Sequence, residues 1–261
     1  MFQAIRYFSE NKTGRDFIIG DVHGAWTLVE KALFDVNFNE ETDRLFHVGD
    51  LVDRGKDIHK LTPFVQKEWF HGVIGNHEAS LISWNVDDTF YTDSFKIDLS
   101  YHYWFEDLTV DEKTTCLRYF QQLPLSMIIE LPDNKKAVIC HADIPTNSVQ
   151  EMTDRLTSID FTKKLSFEDK NFVLSLIWSR HSANKAHLIK TIYDPVYDAH
   201  IIEKIHENHM IHDIDYAFFG HTVMSEVTYV GNRYFIDLGA IFKLENNTLD
   251  DFNLINLSEF K

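Results

Sequence analysis

The sequence predicts an α/β fold in which two mixed β-sheets pack as a sandwich flanked by helices, with helical insertions. Three observations support it: apolar runs of strand length alternate with helical spacing in the first half, two hairpin signals follow in the second half, and polar residues follow several runs. Alternating strands and helices favour parallel strands with helical crossovers, whereas hairpins favour antiparallel neighbours. The length of 261 residues suits one domain over 1–261.

The first half predicts a β-α-β-α-β unit. Short apolar runs that predict strands cover 16–19, 44–48 and 70–74, and helical apolar spacing covers 25–33 and 77–84. Residues 58–67 predict a further helix, in which Pro63 imposes a bend or a late start.

The second half is richer in strands. Segments 125–131 and 136–140 flank a turn at 132–135, which predicts a hairpin, and 216–219 predicts a single strand. A second hairpin is predicted from 226–230 and 233–236, because Gly231 and Asn232 suit a tight turn between them. Residues 252–257 alternate between apolar and polar as a last strand does.

Two segments interrupt this pattern and predict helical insertions, at about 86–123 and 145–213. In the first, acidic residues alternate with the aromatics Phe90, Tyr91, Phe95, Tyr101, Tyr103, Trp104 and Phe105. We expect these aromatics to pack on the main domain, and a wall facing the substrate is the alternative. In the second, His206 and His209 are three residues apart and could bind a metal, but a solvated helix face is the simpler interpretation.

Composition narrows the function classes. The formal net charge is −16, from 41 acidic and 25 basic residues, which argues against a nucleic-acid partner because phosphates need a basic surface. No run approaches the roughly 20 apolar residues that span a bilayer, and the first residues lack a signal-peptide core, so we expect a cytoplasmic protein without a membrane partner. Cys116 and Cys140 match no disulfide, redox or zinc spacing. Nothing indicates the oligomeric state.

Candidate metal ligands follow five predicted strands. Each of these loops carries Asp, His or Asn, and a glycine or the end of a strand lies beside the polar residue. The candidates are Asp21, His23, Asp50, Asn76, His141 and His221. Because ligand sites in open α/β sheets form at the carboxyl ends of strands, we expect these distant loops to meet in one site.

The donor types predict two metal ions. Six ligands exceed the four that one zinc ion takes, but they suit two ions roughly 3.5–4 Å apart that share a carboxylate. Asp50 lies centrally in the chain order and is the natural bridging group. Imidazole together with carboxylate favours Mn²⁺, Fe or Zn²⁺ over Mg²⁺ or Ca²⁺. Fourteen histidines are consistent with metal ligation.

The motifs resemble those of the calcineurin-like metallophosphoesterases. Gly-Asp-Val-His-Gly at 20–24, Gly-Asp-Leu-Val-Asp-Arg-Gly at 49–55 and Gly-Asn-His-Glu at 75–78 are similar to the PPP-type serine/threonine phosphatases. Segments 138–143, 177–180, 219–222 and 236–240 are similar to the phosphatase of bacteriophage lambda and its bacterial relatives. The resemblance extends from about residue 16 to 242 and implies the calcineurin-like phosphoesterase fold.

The resemblance implies a role for each matching residue. One metal would be held by Asp21, His23 and Asp50, and the other by Asp50, Asn76, His141 and His221. Arg54 and Arg180 would hold the phosphate oxygens, as suits a planar fork of donors. His77, paired with Asp53, would protonate the leaving alkoxide. The implied reaction is hydrolysis of phosphoserine or phosphothreonine by a hydroxide between two divalent metals, with Mn²⁺ the first choice.

Two positions weaken the match. Many relatives carry arginine where this chain has Ile74, so one positive charge for phosphate is missing. Arg180 lies in the less recognisable second insertion, where His181 or Lys185 could partly substitute for it.

Other substrates and one other class stay open. The same chemistry would serve a hydrolase of dinucleoside polyphosphates or small phosphorylated metabolites, with the aromatics of the first insertion stacking on a base. The partner would thus be a phosphorylated protein or a small phosphoester. A metal-poor relative that only binds proteins would have lost ligands or the general acid, and the sequence keeps both.

Overall fold

The computed structural model describes residues 2–95, 102–248, 252 and 254–260. The strands are β1 (Ile5–Phe8), β2 (Asp16–Ile19), β3 (Arg44–His47), β4 (Phe70–Gly72), β5 (Ser126–Glu130), β6 (Lys136–Cys140), β7 (Tyr216–Phe219), β8 (Thr228–Val230), β9 (Arg233–Phe235) and β10 (Ile255–Asn256). The helices are α1 (Trp26–Asp35), α2 (Leu61–Val65), α3 (Asn76–Asn85), α4 (Thr89–Phe95), α5 (Tyr103–Glu106), α6 (Val110–Phe120), α7 (Val149–Ser158), α8 (Phe167–Trp178), α9 (His181–Thr191), α10 (Ala199–Asn208) and α11 (Ala240–Glu245).

The strands form two mixed sheets. One has the order β1-β5-β6-β7-β9-β8, and the other has the order β10-β2-β3-β4. Strands β2, β3 and β4 are parallel to one another, as are β6 and β7, while β5 with β6 and β8 with β9 are antiparallel hairpins. The α/β class and the two mixed sheets predicted from the sequence are therefore confirmed.

The two sheets face each other across an apolar core. Ile18, Phe46 and Val73 from the four-stranded side pack in one cluster with Met127 and Phe218 from the six-stranded sheet. A larger cluster fills the opposite sides of the sheets, where Trp26 of α1 and Leu81 of α3 are buried. Burial on both faces explains why β2 has no polar alternation in its last three residues.

Most predicted elements occur with small shifts at their ends. The predicted helix over 58–67 begins as a single 3-10 turn, Ile58–Lys60, and its α-helical part starts only at Leu61. Pro63 thus lies in the first turn, where the missing N–H has no intrahelical partner to lose. The prediction of a late start is confirmed.

The sequence interpretation missed two elements and overextended one. β1 pairs in parallel with β5, and α11 follows β9, but neither was predicted. The predicted last strand over 252–257 is limited to the two residues of β10, antiparallel to β2, and Leu257–Glu259 form a 3-10 turn. Asn253 of that segment lies outside the described residues.

Within the described residues, both segments predicted as insertions contain helices. The first contributes α4, α5 and α6, in which Phe90, Tyr91, Phe95 and Phe105 are buried, so packing of the aromatics is confirmed for these four. Tyr103 is an exception because its side chain is 76% exposed. Tyr101 lies outside the described residues. The second insertion contributes α7 to α10. Among the helices that the structure describes, none is long and apolar enough to cross a membrane.

Candidate dinuclear metal centre

Loops from both sheets meet at the carboxyl ends of their strands. Asp21 and His23 follow β2, Asp50 follows β3, and Asn76 opens α3 just after β4. His141 directly follows β6, and His221 follows β7. Because these strands are parallel within each sheet, their ends lie on the same side, and the six predicted ligands come together there.

The site loops hold an unusual backbone conformation. His23, Asp50, Asp53, Arg54 and His221 have φ values of 45°, 50°, 70°, 70° and 64°, in the left-handed region that side chains rarely adopt. Such conformations persist only where the surrounding structure enforces them, and they concentrate at functional sites. The loops are therefore shaped by more than local sequence preference.

Three of the predicted ligands form one group. The Nε2 atom of His23 lies 3.6 Å from Oδ2 of Asp50 and 3.9 Å from Oδ2 of Asp21. The other ring nitrogen, Nδ1, lies 3.0 Å from the carbonyl oxygen of Val52, which requires a proton on Nδ1. Burial lowers the pKa of His23 to about 4, so Nε2 presents a lone pair to the two carboxylates at neutral pH.

The other predicted ligands form a second group around the same aspartate. Nε2 of His141 lies 3.4 Å from Oδ2 of Asp50 and 2.9 Å from Oδ1 of Asn76. Nδ1 of His221 also lies 2.9 Å from Oδ1 of Asn76. Since Nδ1 of His141 donates to the carbonyl of Val48 at 2.7 Å, Nε2 faces these oxygens. Asp50 is thus shared by both groups.

The arrangement fits two cations. In each group a histidine uses Nδ1–H on a backbone carbonyl and turns Nε2 towards oxygen acceptors, the orientation typical of metal-ligating histidines. Lone pairs that converge on one point repel one another, and a bound cation would offset that repulsion. The charge of Asp50 raises the pKa of His141 although burial lowers it, so this group favours positive charge.

Buried acidity supports the same fit. Burial, together with the charges of Asp237 and Asp50, raises the pKa of Asp21 well above its ordinary value. Burial and the charge of Asp50 also raise the pKa of Glu78 to about 7. The same two effects raise the pKa of Asp237 to about 6, although a hydrogen bond from the backbone N–H of Gly239 lowers it. Four carboxylates packed together out of water favour bound positive charge, which divalent metals would supply.

Glycines allow this close packing. A Cβ atom on Gly220 would lie 1.9 Å from Oδ1 of Asp21 and 2.5 Å from a methyl group of Val48. Gly49 has a φ of 101°, and a Cβ there would lie 2.8 Å from Nδ1 of His141. Neither position can hold a side chain without moving a candidate ligand.

A histidine–aspartate pair lies beside the two groups. Nδ1 of His77 donates to Oδ2 of Asp53 at 2.5 Å, and Asp53 is fully buried. The opposite nitrogen, Nε2, lies 3.8 Å from Oδ2 of Asp50 and 3.4 Å from the guanidinium of Arg54. Burial lowers the pKa of His77, but Asp50 and Asp53 outweigh it and raise this pKa above its ordinary value. The predicted partners are therefore in hydrogen-bond contact.

Arg180 is less firmly placed at the site. It is exposed and precedes the first residue of α9. Burial, then His141, then the positive charge of Arg180 lower the pKa of His221 to about 3, so the guanidinium lies near this ligand. Ile74 is buried, and the guanidinium of Arg54 lies 3.4 Å from Nε2 of His77.

The sequence interpretation gave no site role to four further residues. Glu78 accepts hydrogen bonds from the backbone N–H groups of Asp50, Leu51 and Gly75, and thereby ties the second loop to the third. Glu78 ends the Gly-Asn-His-Glu motif at 75–78, and Asp237 lies in the motif segment 236–240. His102 and Trp104 both donate to Oδ1 of Asp53, but they lie in the first insertion, where no motif indicated them.

Two mixed sheets that carry these candidate ligands at their strand ends agree with the phosphoesterase resemblance of the motifs. The chain belongs to the calcineurin-like phosphoesterase family, whose sequence model matches residues 17–225. The predicted family resemblance is thereby confirmed.

Relatives with names for different substrates match this chain. It is 28% identical over 228 residues to serine/threonine-protein phosphatase 2 of Salmonella typhimurium, covering 86% of this chain and 87% of the relative. It is 32% identical over 130 residues to a symmetrical bis(5'-nucleosyl)-tetraphosphatase of Erwinia tasmaniensis, covering 49% and 44%. A solved serine/threonine phosphatase from Saccharomyces cerevisiae shares the fold, with a TM-score of 0.54, 13% identity and coverage of 90% and 71%.

Proposed function

We propose that this chain is a phosphomonoesterase that uses two divalent metal ions, with Mn²⁺ the first choice, to hydrolyse phosphoserine and phosphothreonine in proteins. The observation that carries the proposal is the His77–Asp53 pair, hydrogen bonded at 2.5 Å beside the two ligand groups. An alkoxide is a poor leaving group, so its departure benefits from a positioned acid, by about 10²–10⁴-fold. The relative that covers 86% of the chain carries a serine/threonine phosphatase name.

The proposed ligands divide between the two ions. Asp21, His23 and Asp50 would hold one ion, and Asp50 would also contribute to the other. Asn76, His141 and His221 would complete the second set. Bound there, two divalent ions would supply positive charge for the phosphate oxygens and a water of lowered pKa as the nucleophile.

The chain's own residues supply the remaining steps. Arg54 binds phosphate oxygens through its guanidinium, which lies 3.4 Å from Nε2 of His77, so the bound phosphate ester is held next to the acid. Arg180, which lies in the second insertion, binds the phosphate from the side of His221. His77 donates the proton on Nε2 to the leaving oxygen, while Asp53 keeps Nδ1 protonated and stabilises the charged ring before the transfer.

The acidic surface has a consequence for this mechanism. With a net charge of −16, the protein as a whole repels a phosphate ester. Attraction must come from the two bound ions and from Arg54 and Arg180 at the site. We therefore expect phosphate to bind the metal-loaded protein and to bind the metal-free protein poorly.

A His77→Asn variant tests the proposed acid. It keeps a side chain of similar polarity but cannot donate a proton at the position of Nε2. We expect kcat on a phosphoserine peptide to fall by about 10²-fold or more while the content of bound manganese stays unchanged. Undiminished kcat would refute the acid role, and loss of metal would show that His77 is itself a ligand. The kcat of an Asp53→Asn variant should fall as well, because the amide lacks the negative charge that stabilises the protonated ring of His77.

Hydrolysis of dinucleoside polyphosphates is the second candidate. It is favoured by the half-length match to a relative named as a symmetrical bis(5'-nucleosyl)-tetraphosphatase. Base stacking on the first insertion has less support, since Phe90, Tyr91, Phe95 and Phe105 are buried and Tyr103 is the exposed ring of α5. Comparing kcat/KM on a phosphoserine peptide, a phosphothreonine peptide, diadenosine tetraphosphate and a sugar phosphate decides between the candidates.

A further inference from the structure

The carboxylate of Asp53 has more partners than a simple histidine–aspartate pair needs. Oδ2 accepts from Nδ1 of His77 at 2.5 Å. Oδ1 accepts from Nε1 of Trp104 at 2.6 Å and from Nδ1 of His102 at 3.0 Å. The two oxygens are thus engaged by different parts of the fold: one by α3, and the other by the first insertion.

The hydrogen-bond directions in this network are consistent. An ionised carboxylate only accepts, so His102 must carry a proton on Nδ1 and Trp104 donates its indole N–H. The remaining nitrogen of His102, Nε2, lies 3.3 Å from Oγ of Ser80. Ser80 belongs to α3, the helix that also carries His77, so His102 bridges the insertion to the helix of the acid.

Burial makes these contacts consequential. Asp53 is fully buried, and His102 is 7% exposed. Although burial raises the pKa of Asp53, hydrogen bonds from His102 and His77 hold it below its ordinary value. With both donors present, the carboxylate cannot rotate about its last torsion without breaking bonds at Oδ1, and this fixes the direction in which Oδ2 faces His77.

We propose that His102 and Trp104 are positioning residues for the His77–Asp53 pair, so that the first insertion forms part of the machinery for leaving-group protonation. This inference rests on the proposed acid role of His77. It adds a second role to the packing expected of the first insertion, because α5 and the residue before it contact the pair directly. Outer partners of this kind typically change activity by about 10-fold to 100-fold when removed.

The matched variants separate the hydrogen bonds from packing. Trp104→Phe removes the indole N–H but keeps an aromatic ring against Phe105. His102→Ala removes the donor, whereas His102→Asn keeps an amide N–H near the position of Nδ1 and serves as the conservative rescue. Tyr103→Phe is the control from the same segment, since the side chain of Tyr103 is 76% exposed.

Leaving-group dependence provides the first readout. We expect Trp104→Phe and His102→Ala to lower kcat about 10-fold to 100-fold on a phosphoserine peptide. The loss should be smaller on p-nitrophenyl phosphate, whose leaving group departs readily without a proton. KM and manganese content should stay unchanged, and His102→Asn should recover most of the loss. Equal losses on both substrates, or no loss in Trp104→Phe, would overturn the proposal.

Nuclear magnetic resonance of protein labelled with ¹⁵N-histidine and loaded with diamagnetic Zn²⁺ provides a second readout that does not depend on activity. The proton between His77 and Asp53 should give a low-field signal, assigned by its absence in His77→Asn. We expect Trp104→Phe to shift or broaden this signal and Tyr103→Phe to leave it in place. An unshifted signal in Trp104→Phe refutes the positioning role.

The two hypotheses fail in distinguishable ways. If His77→Asn itself shows no leaving-group dependence, the acid role under the proposed function is wrong. If His77→Asn shows that dependence and Trp104→Phe does not, only the positioning role is wrong. Thermal unfolding of each variant identifies any that fails to fold. If the His102 variants fail, Trp104→Phe, which keeps an aromatic ring, still tests the positioning role.

Discussion

Arg233 offers a stringent test of how the second insertion is held to the sheet. Its guanidinium is 2% exposed and donates to Oδ1 of Asp143 at 2.9 Å. It also donates to the carbonyl oxygens of Ile144, Thr146 and His209 at 2.7, 2.8 and 2.8 Å, and to the side chain of Asn147 at 3.0 Å. One residue of β9 therefore anchors both ends of the insertion.

We expect Arg233→Met to destabilise the protein strongly. It leaves the buried carboxylate of Asp143 without its counter-charge, and breaking a buried ion pair costs about 3–5 kcal/mol. At roughly 2–4 °C per kcal/mol for a chain of this size, the Tm should fall by roughly 6–20 °C. Activity should fall as well, because Oδ2 of Asp143 accepts from the backbone N–H of Ser182, two residues after Arg180.

Thermal unfolding followed by circular dichroism, with manganese in excess, measures the effect. The control is Lys163→Met, which removes an ion pair with Asp160 whose side chains are 77% and 48% exposed, and we expect no measurable shift in Tm. The double variant Arg233→Met/Asp143→Asn removes both charges but keeps an acceptor for Ser182, so it should be more stable than Arg233→Met alone. A Tm for Arg233→Met equal to that of the control would refute the reasoning.

Three further variants test the site and its surroundings. Burial lowers the pKa of His47 to about 3, so as the pH falls the unfolded chain takes up this proton before the folded protein does. The stability that neutral His47 contributes is complete above the ordinary pKa of 6.5. Below it, the free energy of unfolding falls by at most about 1.4 kcal/mol per pH unit. His47→Asn should flatten the unfolding free energy between about pH 6 and pH 4 in urea titrations, and an unchanged slope would contradict this. Gly220→Ala places a Cβ 1.9 Å from Oδ1 of Asp21, so calorimetric titration should show much weaker manganese binding; wild-type affinity would contradict the proposed ligand. Arg54→Met should raise KM for a phosphoserine peptide by about 10-fold to 100-fold with metal content unchanged, whereas an unchanged KM would remove Arg54 from the phosphate site.

The predictions from sequence agree best with the structure for elements that are formed by residues close together in the chain. The hairpin of β5 and β6 follows from two apolar runs around a turn, and its register pairs Met127 with Ile139. The late start of α2 follows from Pro63. The order of the polar loops predicted that Asp50 stands between the two ligand groups, and its Oδ2 atom lies within 3.6 Å of histidines on either side.

Agreement is weaker where an element depends on partners distant in the chain. β1 is too short and too mixed in polarity to be recognised from its sequence. It forms because β5 offers a parallel edge 121 residues later, with Ile5 opposite Ser126. β10 likewise pairs with β2 across most of the chain, through Ile255 and Ile18. Such pairings reflect the complete sheet, so local periodicity carries no signal for them.

The class of fold, the family and the six candidate ligands could all be inferred from the sequence alone. Metal chemistry accepts few donor types, and strand-end loops bring them in recognisable short motifs. The contacts that the insertions make with the site could be read from the folded chain alone. The hydrogen bonds from His102 and Trp104 to Asp53 span 49 and 51 residues, and Arg233 reaches Asp143 across 90. Each of these hydrogen bonds depends on the position of a single side chain in the packed interior, and no spacing along the chain encodes that position.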